Sequence, residues 1–387
     1  GRRRILEEEM AAQFSAKRLV VEACATTGKK PAKEQLVGMW GKHVSARMLV
    51  AEWRKSDGWS APRITPYRPF EISPAASCLH YALQCFEGMK AYRGDSTIRL
   101  FRPELNAERF NSSLRRLEMP EIPKEEFIDA LRRFVREESD WVPDGEGYAA
   151  YLRPTAIATN SNLGVGPAEE VTFFTMLAPV GPYFPDGYKP VSVYANAETV
   201  RAWPGGAGAF KIGANYGPSI APQAAAAKLG AKQVLYCTPS EGGRKRLTEV
   251  GSMNIVVVWK TPAGKTQLIT PPLTHGDVLP GVTRRSLLDL AATYDDLETA
   301  DTQDIFLDDL LKASSEGRLL EVFGAGTAAV VAPVKSILHH ADGLLAEILV
   351  PPHGDSGLGP VATRLLADLT DVHYGRSPLS DTWCVTV

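Results

Sequence analysis

Between Pro179 and Pro190 the chain reads "PVGPYFPDGYKP", a stretch with four prolines and two glycines. Proline fixes φ and has no N–H to give a helix or a ladder, so no regular element crosses such a segment. Strand-like runs flank it, "VTFFTMLAPVG" before and "PVSVYA" after. A chain of 387 residues exceeds what one hydrophobic core usually organises. The expected division therefore falls here: a domain over 1–180, a connector over 181–192 and a domain over 193–387.

Strand-like and helix-like segments alternate on both sides. In "PELNAERFNSSLRRLEMP", Pro103 suits a first helical turn, Phe110, Leu114 and Leu117 recur at helical spacing, and Pro120 ends the run. Arg109 lies one residue from that apolar stripe. "KEEFIDALRRFVREES" follows as a second amphipathic helix with Phe127, Leu131, Phe134 and Val135 on one face, and "YAAYLRPTAIAT" reads as a strand. Beyond the connector come an Ala-rich helix closing on Gly230, a strand "KQVLYC", a hairpin loop "TPSEGGRKR" and a strand "MNIVVVW". A turn at "TPAGKT", a strand "QLIT" and a helix opened by "LPGVT" come next. "FGAGTAAVVAPV" is a glycine turn running into small apolar residues.

Charge narrows the partners. With 43 Lys+Arg against 45 Asp+Glu the formal net charge is -2, which gives no electrostatic reason to expect nucleic acid or a membrane surface. No apolar run nears the roughly 20 residues needed to cross a bilayer, so a soluble chain is expected. The five cysteines are odd in number and form no C-x-x-C, which points to a reducing compartment and no structural zinc. The histidines show no ligand spacing, so no metal site is expected. At the start, Arg2, Arg3 and Arg4 fit a transit-peptide remnant, but Glu7, Glu8 and Glu9 do not, and a solvated, partly disordered terminus is expected.

The chemistry-bearing stretch is "WPGGAGAFKIGANYGP", which sets glycines around Lys211 with Tyr216 close behind. A phosphate-binding P-loop needs Gly before the lysine and Ser or Thr after it; Phe210 and Ile212 stand there instead. A dinucleotide fingerprint also fails, because "GGAGAF" is no G-x-G-x-x-G. Apolar neighbours would lower the lysine's pKa by desolvation and favour the neutral amine that Schiff-base chemistry needs. Taken alone, such a segment more often marks a surface lysine in a flexible loop. Elsewhere, Gly281-Val282-Thr283 at a helix mouth and Gly326-Thr327-Ala328 after a glycine turn are candidate anion nests. Glu249 enters an apolar strand in "LTEVGSMNI", a placement that is costly unless a positive partner faces it; a surface position is the alternative.

These pieces, in this order, resemble the branched-chain amino-acid aminotransferases of fold type IV among the pyridoxal-phosphate enzymes. The likeness runs from "RMLVAEW" to "TWCVTV" and is carried by "LHYALQCFEGMKAYRG", "IRLFRPELNAERF", "YLRP", "RAWPGGAGAFKIGANYGP", "LTEVGSMNI", "LPGVTRRSLL" and "EVFGAGTAAV". It implies an α+β, two-domain fold like that of D-amino-acid aminotransferase. The N-terminal domain would be smaller and α/β, and the larger domain over 193–387 would bind the cofactor with a β-barrel-like sheet and helices.

Carried over residue by residue, the resemblance makes Lys211 the residue that joins pyridoxal 5'-phosphate and later shuttles the proton. Arg109 would hold the cofactor phosphate together with backbone groups of Val282, Thr283 and Thr327. Glu249 would face the pyridine nitrogen, Tyr216 the phenolic oxygen, and Arg201, Ser252 and Leu279 lie in blocks the family uses around the cofactor. Phe86, Tyr151 and Tyr183 would wall an apolar substrate pocket, completed by Tyr81, Leu163 and Val165 from a second subunit of a homodimer. Arg153 would orient Tyr81 and the acidic side chain of glutamate, and the amides of Thr327 and Ala328 would hold the α-carboxylate. Ser252 stands where many members have Thr, "ATNSNLGV" departs from the usual residues before Leu163, and "TAAVVAP" lacks the C-x-x-C of some animal members.

The implied activity is reversible transfer of the amino group of leucine, isoleucine or valine to 2-oxoglutarate, in the cytoplasm or the mitochondrial matrix. Competing readings are a D-amino-acid aminotransferase or aminodeoxychorismate lyase on the same fold, and a non-catalytic binding protein. The retained Lys211, Arg109, Tyr216 and Glu249 speak against the last.

Overall fold

The computed structural model describes residues 13–24, 28, 30–184, 187–341 and 343–387. The charged run at the start, with the disorder expected of it, and Pro185 and Asp186 of the connector lie outside the described residues. Two compact units emerge. The first comprises Gly1–Tyr183, Phe210–Gly213 and Asp371–Val387; the second comprises Phe184–Ala209 and Ala214–Thr370.

A ten-stranded sheet organises the first unit. Its main path runs Val20–Val21, Arg63–Pro66, Arg47–Arg54, Glu170–Val180, Ala149–Ala158, Met89–Gly94, Thr97–Phe101 and Cys384–Thr386. Apart from the parallel contact of Val20–Val21 with Arg63–Pro66, the pairings along this path are antiparallel. The first unit thus combines this almost wholly antiparallel sheet with helices, among them Pro103–Arg116 and Lys124–Glu137, in keeping with the mixed α/β character expected of it. The compact units differ in their bounds from a division into 1–180 and 193–387. Asp371–Val387 belongs to the first unit, since Cys384–Thr386 completes its sheet beside Thr97–Phe101. With that segment and Phe210–Gly213 included, the first unit is no smaller than the second.

Strand periodicity sorts the side chains. Along Ala149–Ala158, Leu152, Pro154 and Ala156 are buried while Tyr151, Arg153 and Thr155 are half-buried on the opposite face. On the buried face Phe173 meets the rings of Phe14, Phe110 and Phe127 at centroid distances of 5.8, 5.9 and 6.0 Å. Phe110 and Phe127 come from the helices Pro103–Arg116 and Lys124–Glu137, which start and stop close to the expected positions. Besides its apolar stripe, the Pro103–Arg116 helix buries a second, polar one, Asn106, Arg109 and Ser113, at helical spacing.

In the second unit six strands close into a barrel. Lys245–Val250, Gln233–Pro239, Val191–Asn196, Val330–Ala341, Leu319–Gly326 and Met253–Lys260 follow one another, and the last pairs back with the first. Its core includes Val193, Leu235, Leu247, Val257, Val322 and Ile337. The expected "TPSEGGRKR" hairpin joins two barrel strands. "FGAGTAAVVAPV" is likewise a hairpin, between Leu319–Gly326 and Val330–Ala341. Val282–Ala291 forms the helix expected after Gly281.

Two measurements check this packing. Phe173→Ala empties the junction of three rings and should destabilise the protein by about 3–5 kcal/mol in denaturant unfolding; a loss below about 1 kcal/mol would contradict the assigned core. Lys90 is also buried, with its Nζ 5.1 Å from the Trp40 ring centroid, and burial pulls its ammonium down to about 7. An unfolded lysine holds its proton to about pH 10.4. Across that window the unfolded chain binds a proton the folded one does not, so stability rises with pH. Lys90→Met should shrink the gain in urea midpoint between about pH 7 and about pH 10; an unchanged gain would show that Lys90 is not its source.

Candidate functional site

In the first unit the site residues gather around a buried carboxylate. Glu87 follows the Gln84–Phe86 strand and is 0% exposed. Arg109 grips it through two hydrogen bonds, Nε to Oε1 at 2.7 Å and Nη2 to Oε2 at 2.9 Å. Asn106 Nδ2 and the Gly88 N–H donate to Oε2 at 2.7 and 3.1 Å. Burial pushes the Glu87 carboxyl up, but the charge and hydrogen bonds of Arg109, the Lys211 charge and the Asn106 bond outweigh it and hold it below its ordinary range.

Lys211 is fixed by its backbone. Its N–H donates to Ser113 Oγ at 2.9 Å and its carbonyl accepts the Phe86 N–H at 3.0 Å. Ser113, fully buried, donates in turn to the Arg109 carbonyl at 3.0 Å. The Lys211 Nζ stands 5.0 Å from the Phe86 ring centroid. A half-buried, doubly anchored lysine replaces the surface-loop alternative.

The half-buried face of the sheet supplies an aromatic group. Phe86 pairs with Thr155 across the strands and Lys90 with Tyr151, so Phe86, Tyr151 and Arg153 share a face. The Arg153 guanidinium lies 4.8 Å from the Phe86 centroid and donates to the Tyr151 hydroxyl at 2.9 Å. Trp40 packs edge-on against Tyr151 and Tyr183 at 5.1 and 5.7 Å. Gly88 makes room for this group: a Cβ there would stand 2.1 Å from the Tyr151 hydroxyl oxygen. Tyr81, Leu163 and Val165 stand apart, 39%, 65% and 80% exposed, with the Tyr81 hydroxyl bonded to the Leu163 carbonyl.

The second unit carries a matching group around Glu249, 2% exposed on its barrel strand. The partner its burial calls for is Arg201, Nε to Oε2 at 2.8 Å. Oε1 accepts the Leu279 N–H at 2.8 Å and Asn254 Nδ2 at 3.3 Å. Asn254 also donates to the Leu279 carbonyl at 2.9 Å, so Leu279 acts through its peptide. Gly281 gives Asn254 its place, since a Cβ at 281 would meet Asn254 Oδ1 at 1.9 Å. Val282 and Thr283 open the next helix, whose first N–H groups have no partner within it. Thr327 and Ala328 occupy the hairpin turn before Val330, which holds a left-handed φ of 62° that a β-branched residue rarely adopts. Ser252 sits exposed in the Gly251–Ser252 turn, and the Tyr216 carbonyl accepts the Ser219 hydroxyl at 2.6 Å.

Sequence reasoning missed several members of these groups, among them Glu87, Asn106, Trp40, Ser113 and Asn254. Glu87 could have been found by the argument applied to Glu249, a carboxylate in an apolar run. Trp40, Ser113 and Asn254 carry no local signal, since each matters through a contact with a residue distant in sequence or across a hairpin.

The chain's likeness to known proteins agrees with this chemistry. The family model of amino-transferase class IV matches residues 84–337. The branched-chain-amino-acid aminotransferase of Dictyostelium discoideum is 42% identical over 371 residues, covering 95% of this chain and 94% of that protein. The mitochondrial form from Rattus norvegicus is 43% identical over 370 residues, with 95% and 91% covered. A crystal structure of the T.th. branched-chain amino acid aminotransferase with pyridoxamine 5'-phosphate matches with a TM-score of 0.66 and 25% identity, covering 87% of this chain and 97% of that one. A family match over most of the chain and identity of this extent lead to one conclusion: the chain belongs to the branched-chain-amino-acid aminotransferases, within the class IV aminotransferases of fold type IV.

Proposed function

We propose that the protein is a homodimeric transaminase that uses pyridoxal 5'-phosphate to move the amino group of L-leucine, L-isoleucine or L-valine to 2-oxoglutarate. The observation that carries this reading is Lys211, anchored through both sides of its peptide while its amine stands beside Phe86. The residues present suit the cofactor chemically. Arg109, the amides of Val282 and Thr283 at a helix start, and Thr327 in its turn would take a phosphate. Glu249, paired with Arg201, would face a ring nitrogen and favour a proton on it, and Tyr216 would donate to a phenolic oxygen. Ser252 would assist in the same neighbourhood.

The bound cofactor supplies an aldehyde for an amine and a ring that accepts electrons. Lys211 would offer a neutral amine to take the proton from the substrate's Cα and hand it on to the cofactor. Phe86, Tyr151 and Tyr183, with Trp40 behind the two tyrosines, would wall the branched side chain from water. Amides of Thr327 and Ala328 would hold the α-carboxylate. Arg153, already stacked on Phe86, would receive the second carboxylate of glutamate or 2-oxoglutarate. A subunit partner accounts for Tyr81, Leu163 and Val165, three exposed side chains that would complete the neighbouring pocket. Relatives bear both mitochondrial and cytosolic names, and the cytoplasm or the mitochondrial matrix is the compartment proposed.

Replacing Lys211 by Ala should lower leucine transamination by roughly ten-thousandfold or more and remove the visible absorbance the cofactor takes on when joined to lysine. Normal turnover in that variant would refute the assignment. Sedimentation of the native protein should give a dimer, and Val165→Asp should weaken it while raising KM for leucine; a monomer with full activity would defeat the shared-pocket reading.

A further inference from the structure

The contact between Glu87 and Arg109 goes beyond the roles assigned so far. Glu87 accepts from Arg109 twice, from Asn106 and from the Gly88 N–H, so its surroundings are built from donors. A neutral amide could not replace it, because its NH2 would face one of those donors. The bidentate contact takes the Nε and Nη2 edge of the guanidinium, and the planar fork then has one orientation. Asn106 and Arg109 lie one turn apart on the same buried stripe of the Pro103–Arg116 helix, so a single carboxylate sets both. The lysine is held separately, by the Phe86 N–H and Ser113 Oγ.

We propose that Glu87 is a positioning residue: it orients the Arg109 guanidinium for the cofactor's phosphate, without itself touching the cofactor. This rests on the reading of Arg109 as the phosphate ligand. It separates two tasks within the first unit, since Glu87 would govern capture of the phosphate while Phe86 and Ser113 govern the position of Lys211.

The test uses the cofactor-free protein and two aldehydes, pyridoxal 5'-phosphate and pyridoxal, which differ in the phosphate. Supporting partners of this kind commonly contribute roughly ten- to a hundredfold in affinity. Glu87→Gln should weaken binding of pyridoxal 5'-phosphate by that factor and leave pyridoxal within about twofold. Glu87→Asp keeps the charge but shortens the reach, and should show a smaller loss with the same phosphate dependence; where the Gln variant does not fold, this comparison decides. Equal losses for both aldehydes, or none for either, would overturn the proposal. If wild-type protein binds pyridoxal 5'-phosphate and Glu87→Gln binds it as well, the functional reading stands and this one falls. A wild-type protein that captures neither aldehyde overturns both.

Discussion

An ionised carboxylate in a protein interior is tolerated when donors meet its oxygens. Glu87 and Glu249 impose that demand once in each unit, and much of the local structure answers it. For Glu87 the answer is a polar stripe along an otherwise amphipathic helix, with Asn106 and Arg109 turned inward instead of to solvent. For Glu249 it is an arginine from an irregular loop, a peptide N–H at Leu279 and an asparagine across a hairpin. The glycines follow from the same packing: Gly88 clears space for Tyr151, and Gly281 for Asn254.

The two units meet the demand with different scaffolds. An open antiparallel sheet presents Phe86, Tyr151 and Arg153 on one face because side chains alternate along each strand. A closed barrel leaves no such free face: in the second unit Leu279, Thr327 and Ala328 lie on segments that join regular elements, Val282 and Thr283 in the first turn of a helix, and Glu249 on a strand.

Much of this was legible from the sequence, for physical reasons that differ by element. Helices such as Lys124–Glu137 announce themselves through an apolar stripe, and the "TPSEGGRKR" hairpin through its glycines. Lys211 and Glu249 stand out as charged residues among apolar neighbours. The return of Cys384–Thr386 to the first sheet was not legible, because nothing local to a three-residue strand says which edge it joins. For the same reason Trp40 could not be placed beside Tyr151, nor Ser113 beside Lys211: each contact spans about a hundred residues. The bounds expected of the two domains assumed contiguity, and the compact units do not respect it.

That returning strand has a consequence for how the chain acquires its structure. During synthesis the Thr97–Phe101 edge is made long before Cys384–Thr386 exists to pair with it. The anchoring partners of Phe86 and Ser113 likewise wait for Lys211 to emerge. A sheet edge of unpaired backbone groups is exposed for most of translation, and unpaired edges invite contact with other chains. The first unit is begun first yet finished last, so the protein is most open to misassembly while it is being made.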